Sequence, residues 1–134
     1  MRFLLPFLCL AAQAARPADI LGTWRGSSIC VDRAHDPACK DEAVIYQVDS
    51  LMIPTGPVRM SADKIVNGVR QPMGVLWLRY DSTAHAWSME FQTRSRERWS
   101  FVANGDTMTG TLVELPSGRL VRRVTTSRQP RTSP

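Results

Sequence analysis

The stretch Ile20-Leu21-Gly22-Thr23-Trp24-Arg25-Gly26 decides how this chain is read. A turn-prone Gly is followed at once by a large aromatic, and the chain then runs through β-type residues to Cys30 and Val31. That predicts an opening strand from about Ile20 to Val31 whose Trp24 must find a pocket. The rest of the chain reads as the strands that build it.

Working outward, Asp32 to Asp41 is polar, contains Pro37 and reads as a loop. Strand two is expected over Glu42 to Asp49, where Val44, Tyr46 and Val48 alternate with Ile45 and Gln47. The segment Ser50 to Pro57 carries two prolines and a glycine and should be irregular. Strand three spans about Val58 to Val66 and ends at Asn67-Gly68, a strong hairpin signal. Pro72 and Gly74 break the next stretch, so strand four is placed only over Val75 to Tyr80. It is apolar on both faces and reads as covered on both.

Strand five, His85 to Gln92, alternates Trp87, Met89 and Phe91 against Ser88, Glu90 and Gln92. Strand six, Glu97 to Ala103, puts Trp99, Phe101 and Ala103 on one face. Asn104-Gly105 turns the chain into strand seven, Thr107 to Leu115; Pro116-Ser117-Gly118 turns it into strand eight, Arg119 to Thr126. Residues 127–134 are polar and basic and are expected to be a disordered tail. Eight short, evenly spaced strands with no amphipathic helix predict an all-β fold, an eight-stranded antiparallel up-and-down barrel over residues 16–126. Closure would remove the free edges such a meander otherwise leaves.

The first 15 residues read as a secretory signal peptide. Arg2 precedes an apolar run from Phe3 to Leu10, and Ala12-Gln13-Ala14 has the small-x-small pattern of a cleavage site. Cleavage near Ala14/Ala15 would send the chain to the periplasm or outside the cell. The apolar run is too short to span a bilayer and no other run reaches that length, so no stable membrane insertion of the mature chain is expected. Cys30 and Cys39 remain after cleavage, and an even pair in an exported chain reads as a disulfide. The formal net charge of +5 is carried mostly by Arg, and Lys appears at Lys40 and Lys64 alone. No nucleic-acid-binding pattern accompanies it, because aromatics and basic residues do not interleave on one face.

The Gly22-Thr23-Trp24 motif, the eight-strand meander and a basic residue on the last strand together resemble the lipocalin-like, or calycin, barrels. The resemblance implies that Trp24 closes the barrel floor beneath an Arg of strand eight. Arg122 and Arg123 are the matching positions in that expectation. The chain is shorter than secreted vertebrate lipocalins, lacks a helix after the barrel and places its disulfide in the first loop. It therefore looks more like small exported bacterial barrels, among them protease inhibitors of this fold.

No catalytic constellation stands out. No Ser sits in a nucleophile elbow, and His35 and His85 lie in or beside loops. Asp32, His35, Asp36, Cys39, Asp41 and Glu42 cluster locally but match no strong metal spacing. Glu90, Glu97 and Glu114 are placed outside the barrel, as are the alternating Arg94, Arg96 and Arg98. The expected function is a non-enzymatic binding module, without cofactor or metal, for a small apolar or amphipathic molecule. Trp77, Trp87, Phe91, Trp99 and Phe101 are the expected pocket walls. The alternatives are a protein-binding role, such as inhibition of an exported protease through Arg16–Asp19, and a structural envelope protein without ligand.

Overall fold

The structure, a computed structural model, describes residues 20–50 and 56–131. The expected signal peptide, the lead-in Arg16–Asp19 and residues 132–134 lie outside the described residues. Eight strands follow one another: β1 (Gly22–Cys30), β2 (Glu42–Ser50), β3 (Val58–Val66), β4 (Val69–Asp81), β5 (Ala86–Gln92), β6 (Arg96–Asn104), β7 (Thr107–Leu115) and β8 (Arg119–Arg128). Each pairs antiparallel with the next, and β8 returns to β1 to close the barrel.

Most boundaries fall within a residue or two of the sequence expectation, and two differences bear on the site. β4 begins at Val69, because Pro72 and Gly74 are absorbed by a bulge rather than ending the strand. Ala62 faces Gly74 and Asp63 faces Pro72, so Met73 is the extra residue. β8 runs on through Ser127 and Arg128, which therefore belong to the barrel and not to a tail. Gln129 is tied in as well, its amide donating to the Thr23 carbonyl at 2.8 Å.

Alternation puts one face of every strand inside. Trp24, Val44, Val48, Val58, Met60, Leu78, Met108 and Val124 form a dense core, all essentially without solvent contact. Most of this core lies toward the end where the chain enters at Ile20, and it makes that end solid. The fit of β1 against β8 depends on Gly26. A Cβ there would lie 2.0 Å from the Thr125 carbonyl oxygen.

At the opposite end Cys30 and Cys39 form a disulfide, with Cα atoms 6.1 Å apart. It closes the loop between β1 and β2. The loop is further held by Asp41, whose carboxylate accepts the Cys30 amide at 2.8 Å. Loop closure of this length is worth about 2–3 kcal/mol in the chain-entropy treatment. Replacing both cysteines by serine should therefore lower stability by about that amount, measured by denaturant unfolding, while the barrel still folds. An unfolded double variant would show that the disulfide holds far more than its loop.

Candidate functional site

Inside the barrel, above the filled core, lies a half-open cavity of about 350 Å³. Its apolar walls are Tyr46, Ala62, Leu76, Trp99 and Phe101. Each occupies an inward position on its strand, and the aromatic wall is locally ordered. Trp99 stacks on Phe101 with ring centroids 5.5 Å apart and planes 15° from parallel. Phe101 meets Tyr46 edge to face at 5.9 Å. Phe101 fits because Gly110 stands across from it on β7: a Cβ at that position would come within 2.6 Å of the ring.

Ser28, Glu42 and Arg122 supply the cavity's polar side. Arg122 Nη1 donates to the Ser28 hydroxyl at 3.0 Å and sits 3.8 Å from Glu42. Its Nη2 donates to the Lys40 carbonyl at 2.9 Å, joining β8 to the disulfide loop. Lys64 approaches Glu42 from the far side at 3.9 Å. Burial pushes the Tyr46 hydroxyl well above the usual tyrosine range, so it stays a neutral hydrogen-bonding group. The cavity thus offers a broad aromatic wall facing a compact set of polar groups whose charges largely compensate.

A second charged group sits along the same rim. Arg119 bonds Asp36 at 2.9 Å and Glu114 at 3.0 Å, pinning the loop to the β7–β8 turn. Glu114 stands opposite Glu97 in the β6–β7 register. Glu97 shares the parity of Trp99 and Phe101, so it turns to the inner side and not outward as expected. Burial, then the neighbouring Glu114 and Asp36, raise its pKa above the ordinary glutamate value. Glu90 does lie outside, paired with Arg98 at 2.7 Å.

Of the five expected pocket aromatics, Trp99 and Phe101 line this cavity. Trp77 does not: Leu76, Leu78 and Tyr80 take the inner face of β4, which leaves Trp77 on the outer face at 48% exposure. The outer face of β4 is open rather than covered. Trp87 is buried, but it packs against Tyr80 at 5.3 Å as part of the filled core. Phe91 is half-buried and lies outside the cavity walls.

The expected floor is also corrected in its cation. Trp24 is fully buried and its indole N–H donates to the Ile20 carbonyl at 2.9 Å. The guanidinium above its ring belongs to Arg128, 4.2 Å from the ring centroid. Arg128 also donates to the Leu21 carbonyl. Register is the reason: Trp24 stands opposite Arg128, whereas Arg122 stands opposite Cys30 and Arg123 opposite Ile29. Arg122 is thus at the far end in the cavity, and Arg123 points to the outer face. Gly22, at the start of β1, lies beside Arg128 as part of the same floor. β8 runs two residues past Thr126, and its last residue is the one that reaches Trp24.

No family model matches this chain, and no curated protein or solved structure matches it either.

Proposed function

We propose that this protein is a non-enzymatic binding module of lipocalin-like type, taking a small apolar or amphipathic molecule into the open end of its barrel. The observation that carries this reading is the cavity walled by Tyr46, Leu76, Trp99 and Phe101 above a solid core. Its volume falls at the small end of the range of ligand pockets. Apolar area gives affinity there, and Ser28, Tyr46, Glu42 and Arg122 orient a polar group. The Trp24–Arg128 stack on an opening Gly-x-Trp strand supports the lipocalin-like part of the reading. The disulfide supports work in an oxidising compartment, in keeping with export.

Trp99 lies in the cavity wall and makes the test direct. Titrating the protein with decanoate, dodecanoate, retinol and haem should change its tryptophan fluorescence saturably for at least one of them. Phe101→Ala should weaken that ligand by about tenfold, through loss of the stacked wall. No response to any of the four ligands would contradict the proposal.

A further inference from the structure

The barrel wall is incomplete on one side of the cavity. β4 and β5 pair over three positions: Arg79 with Ser88, Tyr80 with Trp87 and Asp81 with Ala86. Beyond these, β4 from Val69 to Leu78 is paired with β3 alone, and β5 from Met89 to Gln92 with β6 alone. The Trp77 amide faces this seam and donates to the Met89 sulfur at 3.4 Å in place of a backbone carbonyl. The cavity reaches the seam. Met73 and Val75 belong to its lining and are at the same time 41% and 38% exposed.

Around this side opening the surface is apolar. Met73, Val75 and Trp77 follow one another along β4, with Val75 and Trp77 on its outer face. Monomeric domains seldom leave such residues contiguous on one strand without use. Cations flank the strip. Arg59 stands directly across from Trp77 in the β3–β4 register, and Arg79 follows on the same face. Both are exposed, and neither makes an ion pair among the described residues. Asp49 stands opposite Arg59 in the β2–β3 register without bonding it.

The chemistry of this lip selects its partner. A β-strand would need a continuous edge, and the bulge at Met73 together with Pro72 interrupts it. An exposed Trp beside aliphatic side chains and unpaired arginines is instead the combination that settles at a lipid–water interface. We propose that the β4 lip, Met73, Val75 and Trp77 with Arg59 and Arg79, docks peripherally on an anionic lipid surface. Docking there would bring the seam against the bilayer and give an apolar ligand a route to the cavity that avoids water. The purpose of docking rests on the binding reading above; docking itself is read without any ligand.

The test is flotation of the disulfide-bonded protein with vesicles of phosphatidylcholine, and with vesicles of equal parts phosphatidylcholine and phosphatidylglycerol. The protein should float with the second and not the first, and added salt should release it. Trp77→Ser should lower the partition coefficient by about fivefold. Arg59→Gln with Arg79→Gln should lower it by about tenfold or more. Val102→Ser, an exposed apolar position on β6, is the control and should leave it unchanged. These are surface changes, and an unaltered circular dichroism spectrum checks that each variant is folded. Absence of flotation with the phosphatidylglycerol-containing vesicles overturns the proposal. So does a Val102→Ser loss equal to that of Trp77→Ser. Flotation that follows these variants, in a protein giving no fluorescence response to the four ligands, keeps the docking surface and removes the ligand-binding reading.

Discussion

Trp24→Ala should lose about 3–5 kcal/mol of stability, the range expected when a fully buried Trp is truncated. Three contributions act together. The indole is completely withdrawn from water, so its removal leaves a void in the solid end of the barrel. The Ile20 carbonyl loses the indole N–H that it accepts at 2.9 Å. The Arg128 guanidinium loses the ring beneath it, a cation–π contact worth about 0.5–2 kcal/mol. Thermal unfolding should show the midpoint falling by about 10–20 °C. Trp24→Phe keeps most of the volume and the π-face but not the N–H donor, and should fall between the two. A midpoint unchanged by Trp24→Ala would mean that the floor does not hold this end of the barrel closed.

Gly26→Ala should be comparably damaging although it adds one methyl group. The three atoms the new Cβ would meet are all β8 backbone: the Thr125 carbonyl oxygen at 2.0 Å, the Thr126 Cα at 2.7 Å and the Thr125 carbonyl carbon at 2.9 Å. No side chain can rotate away, so the two strands must part. They are the strands whose pairing closes the barrel, with Gly26 opposite Thr126. Ordinary overpacking costs about 1–3 kcal/mol. Here the loss should reach about 3 kcal/mol or more, because strand pairing is given up with the packing. Hydrogen exchange would locate the damage: protection should fall first across β1 and β8 and persist in β6 and β7. Equal protection in wild type and variant would show that the two strands tolerate a Cβ between them.

The fold was legible because its signals are local and repeat. Asn67-Gly68 and Asn104-Gly105 mark hairpins, and strands three, six and seven beside them alternate their faces. Those signals place every strand but β4 within a residue or two, and eight strands in sequence order imply the meander. β4 was legible only in part. Pro72 and Gly74 are strand breakers by local rule, and a bulge that carries both depends on β3 beside it.

The site was less legible for a different reason. Alternation says which residues share a face, but not which face is inside when both are apolar. On β4 both Trp77 and Leu76 had a claim to the interior, and the barrel takes Leu76, Leu78 and Tyr80. Depth is the second hidden quantity. Trp87 and Trp99 both point inward, yet one fills the core and the other lines the cavity, because they lie at different heights in the barrel. Height follows from the stagger between strands, a property of closure that no single strand records. The same stagger separates Arg128 from Arg122. One is opposite Trp24 at the floor and the other opposite Cys30 at the rim. Arg122 was expected as a structural cation and is found instead beside Ser28 and Glu42, where a ligand's polar group would lie.

On the proposed reading an apolar molecule occupies the space between Tyr46, Leu76, Trp99 and Phe101. Nuclear magnetic resonance of the isotope-labelled protein, titrated with dodecanoate, would report on that space residue by residue. Shifts should concentrate on the Leu76 methyls, the Trp99 and Phe101 rings and the Arg122 guanidinium, and leave Trp24 and Met108 in the filled core unmoved. Shifts confined to the outer surface, or none at saturating ligand, would rule out occupancy of the cavity.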